Sequence, residues 1–530
     1  MADTSRTAVW KKRFVVSSFI LKHDEAGKPR VALFQRSEKV STYQHHLAPI
    51  SGTIEPSDPS PDAAAWREIS EETTLTQTSL TLLRQGKSYS FSDVSVRREW
   101  TVFPFLFRLR TPADEHRIQI DWEHEGWGWH DPDEVIRDAD QGRLDNGVPR
   151  LAESLRRVWF ETDLGERAGK VLADGLEKLA RDYESGAREL AGAALRTLRG
   201  VVAEIDAPEQ GSTEEWWSNV RFAAWHLWKN GRESMGAAIM GALLAGLAGI
   251  EEKMQKCKEG GEWHHEALRA LDARIKARED SGKAVLAALE SYLSQKFPSK
   301  LDQPHKPLSI LTLSESSTIR HALQHLATAS QFVLDLRVLE SRPLYEGISL
   351  AGSLAESFSA GSSNRSHQHK ITLYSDASAA LAAIDLDIIM LGADRIASSG
   401  AVSNKTGSLA AVLSARHVSP DVKVLVVSEN DKIAPPGRPE DHVVEDNDPS
   451  QLSRAWEAEY NSVRVRKVAG EIRQGGFAGV EMEVRNIFFE WVPARLTDTY
   501  ITESGELHAG HVKEYSEKLE VERERLFENL

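Results

Sequence analysis

The pattern of apolar and polar positions changes character twice along the chain. From about residue 10 to 160 the apolar runs are short, and Arg13-Phe-Val-Val-Ser-Ser-Phe-Ile-Leu21 and Val31-Ala-Leu-Phe34 predict strands around a polar turn, Asp24 to Lys28. Thr101 to Leu109 predicts another strand, at a sheet edge because Pro104 has no N–H for a ladder. Ser60 to Thr73 is helical in pattern, with Ser60 as cap, Pro61 in the first position and Asp62 at the positive end of the helix dipole. From about 163 to 300 long helical periodicities take over: Ala168 to Tyr183, Ala187 to Val202, Arg232 to Cys257 and Trp263 to Phe297, with Asp206 to Ser212 as a loop. From about 305 onward short apolar strands alternate with helices, at Ser309 to Leu313, Phe332 to Leu334, Ile371 to Tyr374, Ile388 to Leu391 and Val424 to Val427. That alternation predicts a parallel, doubly wound sheet. The class is α/β, and the boundaries implied are 1–160, 161–300 and 301–530.

Composition narrows the reading. A chain of 530 residues, 41% hydrophobic and 27% charged, is globular in balance and too long for one core. A net charge of -15 opposes non-specific binding to nucleic acid or to an anionic membrane surface, since both need cationic protein. One cysteine, Cys257, allows no internal disulfide and fits a reducing compartment. The first residues, Met1 to Ser5, do not read as a signal peptide, and the longest apolar run, Met235 to Ile250, is too short for a bilayer and reads as a buried helix. A cytoplasmic protein is expected.

The densest local chemistry lies on the helix at 60–73. Glu68, Glu71 and Glu72 are spaced i, i+3 and i+4, so three carboxylates share one face and repel by roughly 0.2–0.5 kcal/mol per pair. A solvated acidic face is one reading; a site for a hard divalent cation shared with substrate phosphates is the other. The surrounding order, Gly52, the acid Asp58, Arg67-Glu68-Ile69, Glu71-Glu72 and Leu75, resembles the Nudix box. The resemblance extends to Gln35-Arg36 and to Trp129 before Asp131-Pro132. It implies an α/β/α sandwich with a mixed sheet and a Mg2+- (or Mn2+-) dependent diphosphate hydrolase. Glu68, Glu71 and Glu72 would ligate metal or act as base, Arg67 would orient a carboxylate, and Arg36 would meet substrate. Three departures stand out: Asp58 replaces Glu, one extra residue precedes Arg67, and Thr74 replaces Gly. A further acid from another loop is expected at Glu123 or Glu125, and substrate choice at Lys39 to Leu47 and Ser88 to Arg98.

Three features of the last part lie at predicted strand ends, where open α/β sheets bind ligands. The turn Thr312-Leu-Ser-Glu-Ser-Ser-Thr318 contains Ser314 and Ser316 and can present N–H groups to an anion, or simply cap a helix. Glu340-Ser-Arg-Pro343 carries Arg342, able to grip a phosphate bidentately or to end a turn. Gly392-Ala-Asp394 with Asn404-Lys405 forms the third. With Ser375-Asp376-Ala377, Glu346-Gly347 and Thr502-Glu503, and with Ser185-Gly186-Ala187 and Arg232-x-Ser234-Met235 in the helical part, they resemble a known family. It holds the alpha, beta and delta subunits of translation initiation factor 2B and the methylthioribose-1-phosphate and ribose-1,5-bisphosphate isomerases.

This resemblance implies a helical subdomain followed by a Rossmann-like sheet, a phosphorylated small-molecule ligand and a homo-oligomer formed through the C-terminal domain. Arg342, Asn404, Lys405, Ser314 and Ser316 would bind substrate. The family's catalytic aspartate maps onto Asp394, but its cysteine position falls at Ser314, and a hydroxyl is far less acidic than a thiol of pKa about 8.5. The leading expectation is a Nudix hydrolase of nucleoside diphosphate-linked compounds, fused to a domain binding a sugar phosphate or nucleotide. The alternatives are a regulatory protein of the initiation-factor type, with a translation-factor partner and an inactive Nudix fold, and an aldose–ketose isomerase.

Overall fold

The structure is a computed structural model that describes residues 10–182, 185–205, 213–232, 235–256, 262–301, 305–328, 332–360, 369–439, 446–458, 462–473 and 482–530. Met1 to Ser5, Tyr183, Asp206 to Ser212, Ser234 and Cys257 lie outside the described residues. The chain divides into two compact units, Met1–Ala180 with Gly200–Gly231 and Leu530, and Arg181–Arg199 with Arg232–Asn529.

The first unit is built on strands β1 (Lys11–His23), β2 (Pro29–Arg36), β3 (Leu47–Ala48), β4 (Leu80–Gln85), β5 (Tyr89–Asp93), β6 (Arg98–Leu109) and β7 (His124–His130). They form a mixed sheet in the order β3-β2-β1-β6-β4, with β5 also on β6 and β7 also on β2. Only β1 and β6 run parallel, in register from Lys11 opposite Arg98 to Leu21 opposite Arg108. Side chains alternate across the sheet. Val16, Ile20, Phe34 and Phe107 therefore pack with Ile69 of helix α1 (Pro61–Thr73) on one face. Phe19, Leu21, Leu33 and Leu106 pack on the other with Val135 of α2 (Pro132–Asp140) and Leu155 of α3 (Leu151–Arg156).

Pro104 is a correction: β6 is an interior strand, flanked by β1 on one side and by β4 and β5 on the other. The proline is tolerated because it falls where those two partners hand over. Pairing to β4 ends at Gln85 opposite Phe105, and pairing to β5 ends at Tyr89 opposite Val102. Only the Pro104 carbonyl is needed in the gap, and it accepts the Gly86 N–H at 2.8 Å.

Long helices follow: α4 (Glu161–Arg181), α5 (Ala187–Glu204), α6 (Thr213–Lys229), α7 (Gly236–Lys256) and α8 (Glu262–Lys296). Helix α6 had no counterpart in the sequence reading; its buried stripe is Trp216, Val220, Ala223, Ala224 and Leu227. The apolar run expected to be a buried helix is α7, buried from Gly236 to Leu244. Among the described residues no helix is long and apolar enough to cross a membrane.

The second unit holds β8 (Leu308–Leu313), β9 (Leu334–Leu339), β10 (Lys370–Tyr374), β11 (Ile388–Leu391), β12 (Arg395–Ile396), β13 (Val402–Lys405), β14 (Lys423–Val427), β15 (Phe489–Val492), β16 (Thr499–Thr502) and β17 (Gly505–Leu507). The main sheet has the order β10-β9-β8-β11-β14-β16-β17, parallel except for β17. Its strand order reverses between β8 and β11, the switch point at which such sheets leave a crevice. Strand β9 lies further along than the 332–334 segment expected, because Asp335 and Arg337 alternate with buried Leu334, Leu336 and Val338 and pair with each other at 3.0 Å. A small sheet, β12-β13-β15, sits beside the crevice loops.

Candidate functional site

In the first unit, α1 starts where Ser60 accepts the Ala63 N–H (3.4 Å) and Pro61 needs no partner. This fixes the phase of the carboxylate face. Arg67 is its hub. The guanidinium grips Asp58 with two bonds (Nε to Oδ1 3.1 Å, Nη2 to Oδ2 2.9 Å) and donates to the Thr53 carbonyl at 3.1 Å. Its Nη1 lies 2.8 Å from Glu68 Oε1 and 3.1 Å from Glu71 Oε2. The shorter Asp58 and the extra loop residue are thus absorbed, with Asp58 also accepting the Glu55 N–H at 2.8 Å. The Arg67 bonds, then that backbone bond, hold the Asp58 carboxyl below the usual range.

Gly52 has a steric reason. A Cβ there would lie 1.9 Å from the Glu68 carboxyl carbon, so the glycine is a cradle for that carboxylate. Burial pushes the Glu68 carboxyl up, and Arg67 offsets this only in part.

Glu72 is 3% exposed, and its Oε1 has no hydrogen-bond partner. Its Oε2 lies 3.4 Å from His124 Nε2. Burial pushes the Glu72 carboxyl well above its ordinary value, and the charges of Glu68, Glu123 and Asp121 add to this. The His124 imidazole packs 5.2 Å from the Phe34 ring, and burial pushes it down although Asp121 opposes the shift. The pair is therefore a neutral imidazole beside a reluctant carboxylate. Glu71, by contrast, is exposed.

The helix ends at Thr74 with φ of 62°, in the left-handed region, which is why the family pattern has glycine there. The Thr74 hydroxyl donates to the Arg117 carbonyl at 3.1 Å.

Of these groups Gly52, Thr53, Arg67, Glu68 and Glu71 open on a cavity of about 430 Å³, whereas Glu72 and His124 lie off its lining. One part of its lining is Arg36, Arg67, Glu68, Glu71 and Glu123; another is Tyr43, Tyr89, Phe91, Arg98 and Trp100. Arg36, expected to meet substrate, is there, its Nε donating to the Thr42 carbonyl at 3.2 Å. Of the two further acids, Glu123 lines the cavity, whereas Glu125 turns to His45 Nδ1 at 2.9 Å and does not. Sequence reasoning missed His124, Asp121 and the aromatic residues. The signal for His124 was its place between the two acids that were named.

In the second unit a cavity of about 770 Å³ opens at the carboxyl ends of β8 and β11. Ser314, Ser316, Asp394, Asn404 and Lys405 all line it. Arg342 does not; its Nη2 donates to the Tyr345 hydroxyl at 2.6 Å. The cations on the lining, besides Lys405, are Arg188, Arg232, Arg320 and Lys432, none of which had been singled out as binding residues.

The loops at the crevice are braced together. Asp376 accepts the Ser341 and Arg342 N–H groups at 2.9 and 2.8 Å, and the Ser341 hydroxyl accepts the N–H of Ser314, whose φ is 66°. Lys405 is 6% exposed; its ammonium pairs with Glu346 at 2.9 Å and lies 4.5 and 5.2 Å from the rings of Phe488 and Phe489. The Asn404 amide donates to the Ser408 hydroxyl at 2.9 Å. Behind the lining, Glu429 is buried and bonded to Arg188 at 2.8 Å; burial pushes it up, but Lys432, Arg188 and Arg278 together hold it below the usual range.

No trio of His, Cys, Asp or Glu stands at metal-ligand spacing among the described residues. The first site nevertheless suits a hard cation. Glu68 and Glu71 already converge on one cationic nitrogen of Arg67, and Glu72 keeps a buried oxygen without a donor.

Comparison with known proteins finds two successive families, the second of which also takes in Gly200–Gly231 of the first unit. The NUDIX domain model matches residues 13–158, and the initiation factor 2 subunit family model matches residues 183–509, more than half of the chain. The asymmetrical bis(5'-nucleosyl)-tetraphosphatase of Caenorhabditis elegans is 29% identical over 119 residues, 22% of this chain and 80% of that protein. The phosphoribosylformylglycinamidine synthase subunit PurL of Sinorhizobium fredii (strain HH103) is 30% identical over 103 residues, 19% of this chain, and the match spans only 13% of PurL. The solved translation initiation factor eIF-2B of Pyrococcus horikoshii OT3 is similar at 17% identity and a TM-score of 0.43, over 63% of this chain and 96% of that one. The chain belongs to the initiation factor 2 subunit family, and carries a Nudix domain ahead of that part.

Proposed function

We infer that the first unit is a divalent-metal-dependent hydrolase that cleaves the diphosphate of a nucleoside diphosphate-linked small molecule. The observation that carries this is the convergence of Asp58, Glu68 and Glu71 on Arg67 at a cavity that also holds Arg36, with one buried Glu72 oxygen left without a hydrogen-bond partner on the same helix. Mg2+ (or Mn2+), when bound, supplies Lewis acidity to a phosphoryl oxygen and lowers the pKa of a water. Glu68, Glu71 and Glu72 are the groups to hold it. Arg67 fixes the carboxylates, Arg36 offers charge to a phosphate, and burial keeps Glu72 more basic than an ordinary glutamate. The similarity to a bis(5'-nucleosyl)-tetraphosphatase supports this class of chemistry.

In the same reading the second unit binds a phosphorylated small molecule, a sugar phosphate or nucleotide, at Ser314, Ser316, Asp394, Asn404 and Lys405, with Arg188 and Lys432 adding charge that Arg342 does not bring. The test is phosphate-coupled hydrolysis of a panel of nucleoside diphosphate derivatives with Mg2+, wild type against Glu71→Gln/Glu72→Gln. Turnover by wild type alone supports the hydrolase; no turnover by either folded protein across the panel overturns it.

A further inference from the structure

Strand β7 departs from regular pairing at one place. Its register with β2 runs from Val31 opposite His130 to Gln35 opposite Gly126, then slips by one residue, so that Arg36 stands opposite His124. Successive residues of a strand face opposite ways, so unbroken pairing would put His124 on the far face from Trp127 and Trp129. The slip takes up Glu125 as an extra residue and returns His124 to the face that packs with α1, where its ring lies 5.2 Å from Phe34. A bulge of this kind re-aims a side chain, and this one aims His124 at Glu72: Nε2 lies 3.4 Å from Oε2, with both side chains buried. The backbone fixes the approach as well. The Thr73 and Glu72 carbonyls at the end of α1 accept the Gln119 and Asp121 N–H groups at 3.1 and 3.3 Å, which docks the segment leading into β7 on the helix.

The neighbours decide which imidazole nitrogen carries the proton. His124 Nδ1 lies 3.4 Å from Asp121 Oδ1, but that oxygen already accepts the Glu123 N–H at 3.0 Å. Glu72 is the deeper carboxylate, its side chain 4% exposed against 23% for Asp121. The N–H is therefore placed on Nε2, toward Glu72. His124 Nδ1 and Glu72 Oε1 both remain buried without a hydrogen-bond partner. Such orphans are few in a native fold, and each calls for a reason. We propose that His124 is a positioning residue for the metal site: its Nε2–H backs Glu72 Oε2 and so keeps Oε1 as the oxygen that Glu72 offers to a divalent cation held with Glu68 and Glu71. A donor placed behind a ligating carboxylate fixes its orientation and adds to affinity without touching the ion. No change of protonation enters. The proposal deepens the hydrolase reading, on which it rests for the metal, and concerns binding of the ion and not turnover.

The test is Mn2+ binding to the full-length chain, followed by the electron spin resonance of free Mn2+, counting the ion that wild type binds and Glu71→Gln/Glu72→Gln does not. His124→Gln carries an amide nitrogen to the place of Nε2, whereas His124→Asn carries one only to the place of Nδ1. His124→Gln should bind Mn2+ within about threefold of wild type, and His124→Asn roughly 10–100-fold more weakly. If His124→Asn does not fold, His124→Phe, which fills the space of the ring without a donor, takes its place. In a Glu72→Gln background the two variants should bind alike, because the carboxylate through which His124 acts is gone. Wild-type affinity in His124→Asn, equal loss in both variants, a difference that persists in the Glu72→Gln background, or no Mn2+ bound by wild type would each overturn the role. Mn2+ binding that follows the expected pattern in a protein hydrolysing no nucleoside diphosphate derivative leaves the role standing and removes the hydrolase; hydrolysis by a protein whose His124→Asn variant binds Mn2+ as wild type does the reverse.

Discussion

Replacing Glu72 by glutamine should make the metal-free protein more stable while abolishing its hydrolysis. Glu72 is 3% exposed, its Oε1 has no partner, and its Oε2 faces the Nε2 of an imidazole that burial keeps neutral, at 3.4 Å. A buried polar group left unsatisfied costs about 1–3 kcal/mol, and a charged one more than a neutral one. The amide has the same shape, carries no charge to desolvate, and ends the repulsion from Glu68, Glu123 and Asp121. For a unit of this size, about 1–3 kcal/mol corresponds to a rise of roughly 3–9 °C in Tm.

The sign with pH follows from the raised carboxyl. Between the unfolded value of about 4.3 and the higher folded one, the native state binds more protons than the unfolded state, so wild-type stability falls as pH rises through that interval. The advantage of Glu72→Gln should therefore vanish near pH 4 and be complete once the folded carboxyl has ionised. Calorimetry of the full chain in chelator, at pH 4.5 and pH 8, reads this directly. Added Mg2+ should then raise the wild-type Tm and leave the variant nearly unmoved, because a ligand stabilises only the state that binds it. A variant less stable than wild type in chelator at pH 8 would refute the reasoning, since it would mean that the Glu72 carboxylate is a satisfied structural group.

Gly52→Ala should cost about a hundredfold in kcat with little change in Tm, because its Cβ would lie 1.9 Å from the Glu68 carboxyl carbon and must displace it; wild-type turnover would show that the Glu68 position is not critical. Thr74→Gly should raise the urea midpoint, since relief of a left-handed threonine is worth about 1–2 kcal/mol and the lost hydroxyl bond to Arg117 about 0.5–1.5 kcal/mol. A midpoint lowered by the change would contradict the strain argument. Lys405→Met should keep the fold of the second unit but weaken titrated ribose 5-phosphate by roughly tenfold or more, as the charge-assisted donor is lost; undiminished binding in calorimetric titration would remove Lys405 from the ligand site.

What could be read from the sequence was what neighbours in sequence determine. Helix α1 was legible because its cap, its first-turn proline and three glutamates on one face are all local, and the pairing of Arg67 with a carboxylate was what the Nudix resemblance implied. The parallel sheet of the second unit was legible because its strands are buried on both sides and read as continuous apolar runs. Strand β9 escaped in part because Asp335 and Arg337 neutralise each other within the strand, and α6 because its tryptophans mask the helical period. Pro104 was misplaced because the sequence does not show where β4 stops and β5 begins beside β6. The placing of Arg342 off the cavity lining was hidden for a similar reason: its backbone N–H is tied to Asp376, thirty-four positions away, and its side chain is engaged by Tyr345.

The two cavities divide along the same line. Glu68, Glu71 and Arg36 could be named in advance, whereas Trp100 and Phe91 meet only through the register of two strands, and Arg188, Arg232 and Lys432 reach one cavity from separate stretches of chain. The reacting groups of a site can be carried by one short helix, since their geometry must be fixed to within an ångström. The groups that choose the ligand need only line the same space. That is why the carboxylate cluster of the first unit was readable from spacing, while the aromatic residues Phe91 and Trp100 come together only when β5 is laid beside β6.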